Sequence, residues 1–486
     1  MSDGPSVLRE AAEIYRGDYA APRMLEPDLH TRLEQIILQL TIPISELKVI
    51  AHNFYSELMN GLKAHKRHRN LWLPNECCFK MLDSYIANIP TGKECGSYYA
   101  IDFGGSNFRA VRIKINGDGK MERIQSSFSL RYSSALGPKG LLDQNATATA
   151  LFDHFATEIG TVIKQSGDPL APEKPLKVGF TFSFPCTMLS RNTAILLDWT
   201  KDFETGRGTD DQVEGKDVGK LMDEAFKRSN INANVSIILN DTVGTLLSCA
   251  YQKPEDYPDC RVGVILGTGF NICYAEDDYA SFGYVGKIIN IECGNFDKEL
   301  PITPVDYEID YYTSNSGRGL LEKLVSGAYL GEIIRRYMIL FLRDQTPESM
   351  WHVGTFTSID GSEILNDASE DYKVAKEVAL RTWGVEFPYE VLVGLRKICE
   401  SVFGRSAGLA AAAIAATARK ARAYVTAKAT VAIDGSLYVK NEWYREKLQE
   451  YLEKVTRSDL RGNVVLLASD DGSGKGAAIA AAMFDN

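Results

Sequence analysis

Apolar residues along the chain follow two different periods, and the switches between them mark out the elements. "LEQIILQL" and "ISELKVIAHNFYSELMNGL", within residues 29–63, place apolar side chains three and four positions apart. That spacing predicts two helices, with Pro43 and Ser45 at the start of the second. From residue 98 the period changes to strand signals in "YYAIDF", "FRAVRIKI" and "IQSSFSLRYSS". A helix is predicted over 148–165, followed by the strand "LKVGFTFSFP", which Pro185 ends. "VSIILNDTVGTLLSCAY" reads as strand, turn and helix, and "RVGVILGTGFNICYAE" as strand, glycine turn and strand. "GRGLLEKLVSGAYLGEIIRRYMILFL" predicts one long amphipathic helix, and "GRSAGLAAAAIAATARKARAYV" an alanine-rich one. The end alternates again: the strand "ATVAIDGSLYV", the helix "EWYREKLQEYLEKV", the strand "NVVLLAS" and the helix "GKGAAIAAAMF".

Strands and helices thus alternate in two blocks, which predicts α/β architecture with two similar lobes. Each block opens on strand, glycine turn, strand, in "IDFGGSNFRAV" and "ILGTGFNICY". Two such hairpins could face one ligand from two lobes. Composition narrows the picture. With 486 residues, 45% hydrophobic and 24% charged, the chain reads as a soluble globular protein of two or three domains. A net charge of −10 argues against nucleic acid as a partner, since phosphate contacts need an excess of Lys and Arg. The basic stretch "LKAHKRHRN" reads as a solvated helix end. Nine scattered cysteines, odd in number and without a CxxC pair, fit reduced thiols and a cytoplasmic location. The charged N-terminus offers no secretory h-region, and the 13-residue run "SAGLAAAAIAATA" is too short to span a bilayer, so no membrane insertion is expected.

The glycine motifs divide sharply when tested. "DDGSGKGAA" (470–478) fails as a Walker A loop, because position 469 is Ser and position 476 is Gly. It fails as a dinucleotide fingerprint, because the chain ends at Asn486 before the acidic residue that the ribose needs. What survives is glycines before a helix, which expose backbone amides to an anion. In the turn at 102–107, Gly104 and Gly105 let amides approach an oxyanion, and Ser106 and Asn107 add donors. Asp102 could hold a hydrated Mg²⁺ ion. A plain hairpin with a capping aspartate is the structural alternative. "LGTGFN", with Thr268 and Asn271, repeats the chemistry and favours phosphate binding.

Acidic residues complete the pattern. Asn240 and Asp241 end an apolar strand at a helix start, either as a cap or as a proton acceptor at the carboxyl end of a sheet. Glu292 sits in "IINIECGNF", Glu322 on a helix with Arg318 as an ordinary i,i+4 partner, and Ser183 interrupts "FTFSFP". None of the six histidines falls in these motifs. Carboxylates, amides and hydroxyls suit recognition of a polyol beside phosphate-binding turns.

Taken together, these motifs resemble the eukaryotic hexokinases, including glucokinase, within the actin-like ATPase fold. "IDFGGSNFRA" is similar to that family's "LDLGGTNFRV", and "TFSFP" followed by "DWTKDF" to its sugar signature. "LNDTVGTL", "LGTGFNICY", "IECGNF", "LLEKLVSGAYLGEI", "AIDGSLY" and "DGSGKGAA" follow in the family's order across residues 30–485. The resemblance implies an α/β, two-lobed fold of mixed sheets flanked by helices around a central cleft. It implies a small lobe of residues 92–240 plus 472–486 and a large lobe of 1–91 plus 241–471. It places the hexose on Ser183, Phe184, Thr200, Lys201, Asn240, Asp241, Asn271, Glu292 and Glu322. It places ATP on Asp102, Phe103, Gly104, Gly105, Ser106, Asn107, Thr268 and Gly327, and on segments around Ser436–Lys440 and Gly472, Ser473, Gly474 and Lys475.

The implied reaction is transfer of the γ-phosphoryl group of MgATP to the 6-hydroxyl of a hexose, glucose above all. Asp241 would accept the proton, Lys201 would neutralise charge, and Asp102 would reach Mg²⁺ through water. One catalytic unit is expected, as monomer or homodimer. Three departures stand out: Ser106 for the family's Thr, Cys293 for its Trp, and "VKNEW" without the usual proline. Cys293 is expected to loosen a wall of the sugar pocket. A non-catalytic sugar sensor and another ATPase of the same fold are the alternatives. The first would lack Asp241 or the phosphate turns, and the second would leave Ser183, Asn240, Glu292 and Glu322 without a shared purpose.

Overall fold

The computed structural model describes residues 28–68, 72–104, 107–130, 139–168, 173–199, 203–252, 258–421, 428–456, 461–469 and 471–485. In chain order the strands are β1 (Leu82–Asp83), β2 (Cys95–Phe103), β3 (Asn107–Asn116), β4 (Met121–Ser129), β5 (Leu176–Phe182), β6 (Cys186–Ser190), β7 (Thr193–Leu196) and β8 (Ala233–Leu239). There follow β9 (Cys260–Leu266), β10 (Phe270–Ala275), β11 (Ile288–Asn290), β12 (Ala429–Asp434) and β13 (Val464–Ala468). They build two large mixed sheets, ordered β4-β3-β2-β5-β8 and β1-β11-β10-β9-β12-β13.

The two sheets share one plan. In the first, β2, β3 and β4 form an antiparallel meander, and β5 and β8 join β2 in parallel. In the second, β9, β10 and β11 form the meander, and β12 and β13 join β9 in parallel. The glycine hairpins that open each block are therefore equivalent corners of two related lobes.

Separate cores hold the lobes. Phe103, Phe108, Phe155, Phe180 and Trp199 belong to the small-lobe core, under the helices Ala148–Ser166 and Val218–Arg228. In the large lobe the helix Tyr389–Lys420 runs through the centre. It is long and apolar enough to cross a bilayer, yet 89% of its most apolar window is buried inside the protein. Charged residues such as Arg405, paired with Asp306 at 2.6 Å, interrupt it.

A third core lies between the sheets. It joins Ala100, Val111 and Ile113 of the small-lobe sheet to Val243 and Leu246, and to Ala477 through Ala482. Small residues let the helices Asp241–Gln252 and Gly472–Met483 approach closely here. A Cβ at Gly476 would collide with the Gly244 backbone, and one at Gly263 with the Thr242 carbonyl.

Two expectations need correction. The long helix over "GRGLLEKLVSGAYLGEI…" is two helices, Leu320–Val325 and Gly327–Leu342, because Ser326 is extended (φ −80°, ψ 150°). The break lets Gly327 N–H reach the Gly267 carbonyl at 2.8 Å, a bond that a continuous helix would forfeit. The strand expected to run to Pro185 stops at Phe182, after which Ser183 N–H bonds Phe103 O at 3.0 Å. The basic stretch does end a helix, Ile44–His68, and both Arg67 and His68 turn onto Glu76.

Candidate active site

The carboxyl ends of the central strands meet between the lobes, and the candidate residues lie there. Ser183 follows β5, Asn240 follows β8, Gly267 follows β9, and Asp434 ends β12. A recess opens between the lobes. Phe182, Phe184 and Met188 line it from one side, and Asp83, Ser84, Asn290 and Glu292 from the other, with Asn240 at the base.

One polar chain crosses this wall. Asn271 Nδ2 donates to Asn290 Oδ1 at 2.8 Å and lies 3.4 Å from both Asn240 Oδ1 and Glu292 Oε1. Asn290 Nδ2 donates to Glu292 Oε1 at 2.9 Å, and Lys80 Nζ stands 4.0 Å from Glu292 Oε2. Asn271 Oδ1 accepts from the amides of Ile272 at 2.7 Å and Cys293 at 3.2 Å, which fixes the side chain. Glu292 has left-handed backbone angles, φ 58° and ψ 52°. For a residue with a Cβ this costs about 1–3 kcal/mol, strain that persists only where the surroundings hold it. It turns the carboxylate back onto the asparagines. Glu322 accepts from Phe270 N–H at 3.2 Å beside the start of β10, one helix removed from Glu292.

At the helix start the two readings of Asn240 and Asp241 divide between the two residues. Asn240 Oδ1 accepts from Thr242 N at 2.9 Å and from Thr242 Oγ1 at 2.7 Å, so Asn240 acts as a cap. Asp241 is the first helical residue, and its Oδ1 also accepts from Thr242 N at 2.9 Å. Capping therefore does not depend on Asp241.

The remaining candidates gather around glycine turns. Gly104 faces Ser183 so closely that a Cβ would lie 2.7 Å from the Ser183 Cβ. Asp102 is buried, with Oδ2 bonded to Arg109 and, at 2.8 Å, to Ser473 Oγ. Arg109 also pairs with Asp471 at 2.5 Å, and Arg123 with Asp471 at 2.6 Å. Thr268, which is exposed, accepts from Ala328 N at 3.2 Å beside Gly327. Gly435 adopts φ 115°, and a Cβ there would run into the Leu266 carbonyl. Ser436 and Lys440, both exposed, stand at the ends of the single turn Ser436–Val439. Gly472, Ser473 and Gly474 are buried at the start of Gly472–Met483, and Lys475 is half-buried one residue on.

Phe103 and Phe184 pack in an aromatic cluster with Trp199 and Phe203 and do not present polar groups. Thr200, Lys201, Gly105, Ser106 and the Asn107 side chain lie outside the described residues. Cys293 corrects an expectation: its side chain is fully buried in the large-lobe core and does not form a wall of the recess. Burial raises its thiol well above the ordinary value.

Four residues of the site were missed in the sequence. Asn290 breaks an apolar strand, the same signal that singled out Ser183. Arg109 stood unexplained after the first glycine turn. Lys80 gave no signal beyond charge beside an apolar run, and Asp434 lay within the motif "AIDGSLY" without being singled out.

The hexokinase family model matches residues 32–251, and a second hexokinase model matches residues 261–483. A hexokinase of Plasmodium falciparum is 52% identical over 95% of this chain and 93% of its own. One of Toxoplasma gondii is 45% identical over 92% of this chain and 96% of its own. A hexokinase crystal structure superposes with a TM-score of 0.86 at 41% identity, covering 94% of this chain and 99% of the other. The hexokinase of Schistosoma mansoni complexed with glucose gives 0.78 at 28% identity, covering 94% and 100%.

Proposed function

The chain belongs to the hexokinase family and phosphorylates a hexose from ATP; from that premise we propose how its own residues carry out the transfer. The substrate is glucose, by likeness to the glucose complex of the S. mansoni enzyme. The acceptor is its 6-hydroxyl, and the reaction opens glycolysis. The observation that carries the reading is the continuous chain Asn240–Asn271–Asn290–Glu292 on the wall of the recess, next to Asp241. Amide and carboxylate groups held this firmly can hydrogen-bond ring hydroxyls in fixed orientation, and Glu322 and Ser183 extend the set.

The hydroxyl oxygen forms a bond to the γ-phosphorus, the bond from that phosphorus to the leaving ADP oxygen breaks, and the hydroxyl proton passes to the Asp241 carboxylate. Such a transition state is loose, so positioning and charge stabilisation supply most of the catalysis. Lys201, on the segment after Trp199, supplies positive charge to the transferred group, with Thr200 beside it on the sugar. Trp199 and Phe203, on either side of it in the sequence, stack at 5.2 Å. The turns at 102–107 and 267–269, with Gly327, Ser436–Lys440 and Gly472–Lys475, receive the nucleotide.

Direct coordination of a metal by protein fits poorly. Asp102 Oδ2 is engaged by Arg109 and Ser473, and among the described residues no three acidic, histidine or cysteine side chains cluster around a metal-sized space. Asp102 would hold a hydrated Mg²⁺ ion through water, and the ion would supply charge neutralisation at the phosphates of ATP.

We assign 92–240 with 472–486 to the small lobe and 1–91 with 241–471 to the large one. The location is cytoplasmic, in keeping with nine free cysteines of which eight are buried. Asp241→Asn tests the mechanism. Because Asn240 carries the cap, the variant folds and binds hexose, while kcat falls by several orders of magnitude. A folded variant turning over near the wild-type rate would rule out Asp241 as the proton acceptor.

A further inference from the structure

We propose that Asp434 is a positioning residue for the nucleotide, tying the start of the helix Gly472–Met483 to the turn at Gly435. The inference rests on the reading that these two turns receive ATP.

Each oxygen of Asp434 holds one of the two turns. Oδ1 accepts from Gly435 N at 2.6 Å, and Oδ2 accepts from Gly472 N at 2.7 Å, across 38 positions of sequence. Gly472 is the first residue of its helix, so its amide has no partner within the helix. A cap side chain reaches the second or third amide of a helix and not the first, so this one needs an acceptor from elsewhere. Asp471 stands at the cap position but makes no side-chain capping bond, because its carboxylate is drawn to Arg109 and Arg123. Asp434 supplies the missing acceptor from a neighbouring strand.

The backbone on both sides has little room to adjust. A Cβ at Gly472 would sit 2.6 Å from Ser469 Oγ and 3.0 Å from Thr245 Cα. Gly435 lies against Leu266 and Gly267, and Gly267 O in turn accepts Gly327 N at 2.8 Å. Asp434 thus joins the helix start to a stack of glycine turns at the ends of β9 and β12. From the small lobe, Thr181 Oγ1 bonds Ser473 O at 3.0 Å and Ser473 Oγ bonds Asp102 at 2.8 Å. The helix start is therefore held from both lobes, and Asp434 is its tie to the large one. Burial raises the Asp434 acid to about 6, so an ionised carboxylate is retained here at a cost in stability. A group that served only folding would be better replaced by an uncharged one.

The test uses the full chain with Asp434→Asn and Asp434→Ala. Asparagine keeps the shape but offers one acceptor in place of two. KM for ATP should rise about tenfold, as for a buried hydrogen bond left unmade, while KM for the hexose stays within about twofold. An unchanged KM for ATP, or a proportional rise of both constants, overturns the proposal. Hydrogen exchange of the wild-type enzyme with and without ADP gives a second reading that does not depend on a variant folding. ADP should slow exchange in 434–437 and 471–475 together. Slowing in 471–475 alone overturns the tie and leaves the nucleotide reading standing, whereas slowing in neither overturns that reading and the tie with it.

Discussion

Asp434 binds its proton more tightly folded than unfolded, since burial lifts its acid from 3.8 to about 6. The sign of the linkage follows. Its contribution to stability is fully present below pH 4, falls as pH rises through 6, and is lost above that. Asp471 raises it further, while Arg109 and the two amide donors work in the opposite direction, so burial is the larger effect. Against Asp434→Asn, the wild type should lose up to roughly 3 kcal/mol of relative stability between pH 4 and pH 7, at about 1.4 kcal/mol per unit. Melting curves of both proteins across that range measure it, and a difference in Tm that does not vary with pH would remove the burial argument. Lys475 contributes on a smaller scale. Its charge reaches Asp471 from the first turn of the helix, where a cation opposes the helix dipole. Lys475→Ala should weaken ATP binding by about 0.5–1 kcal/mol and leave the hexose untouched. Initial rates at low and moderate salt decide it, and a constant KM for ATP would assign the residue to solvent.

The crossing of Asp241–Gln252 over Gly472–Met483 depends on two missing side chains. A Cβ at Gly476 would overlap the Gly244 backbone, so Gly476→Ala must push the helices apart. Overpacking of this kind costs about 1–3 kcal/mol, and here both helices begin at candidate site residues. The variant should melt several degrees lower and lose activity more than stability alone explains. Wild-type kinetics in a folded Gly476→Ala protein would mean the crossing does not set the site. Neither glycine could be recognised in the sequence, because "DTVGTLL" and "GKGAAIA" show only that glycines occur, not that they face each other. Where period alone decides, the sequence was legible: the helix Glu442–Val455 and the strand β8 lie where their patterns put them. It was not legible at Ser326, where an amphipathic pattern continues unbroken while a tertiary bond to Gly267 splits the helix. The short strands β1, β6 and β7 escaped because two to five residues are too few to show a period. Asn240, Asn271 and Glu292 could be picked out as polar residues at the ends of apolar strands. Their partner Asn290 ends β11 with the same signal, but its bond to Asn271 emerges only from the pairing of β10 and β11.

Two lobes built on one plan meet through the third core, in which Ala477 through Ala482 pack with Val111 and Ile113 of one sheet and with Val243 and Leu246. The residues proposed for the hexose are divided between them: Ser183 and Phe184 follow β5, and Asn271, Glu292 and Glu322 come from the other half of the fold. A sugar held by both sets gains its full complement of hydrogen bonds only when the lobes approach. That approach also excludes water, which would otherwise compete for the γ-phosphoryl group. One tie already crosses the mouth, since Tyr85 of the large lobe donates to the Met188 carbonyl of the small lobe at 3.3 Å. It is long for a hydroxyl donor and would shorten with little cost. Glucose should therefore reduce the radius of gyration measured by solution scattering, at concentrations where calorimetry independently shows the site to be saturated. Asp241→Asn should contract as fully as the wild type, because closing depends on binding the sugar and not on moving its proton. Superimposable scattering curves with and without bound glucose would show that the site is assembled before the sugar arrives, and water would then have to be excluded by some means other than lobe movement.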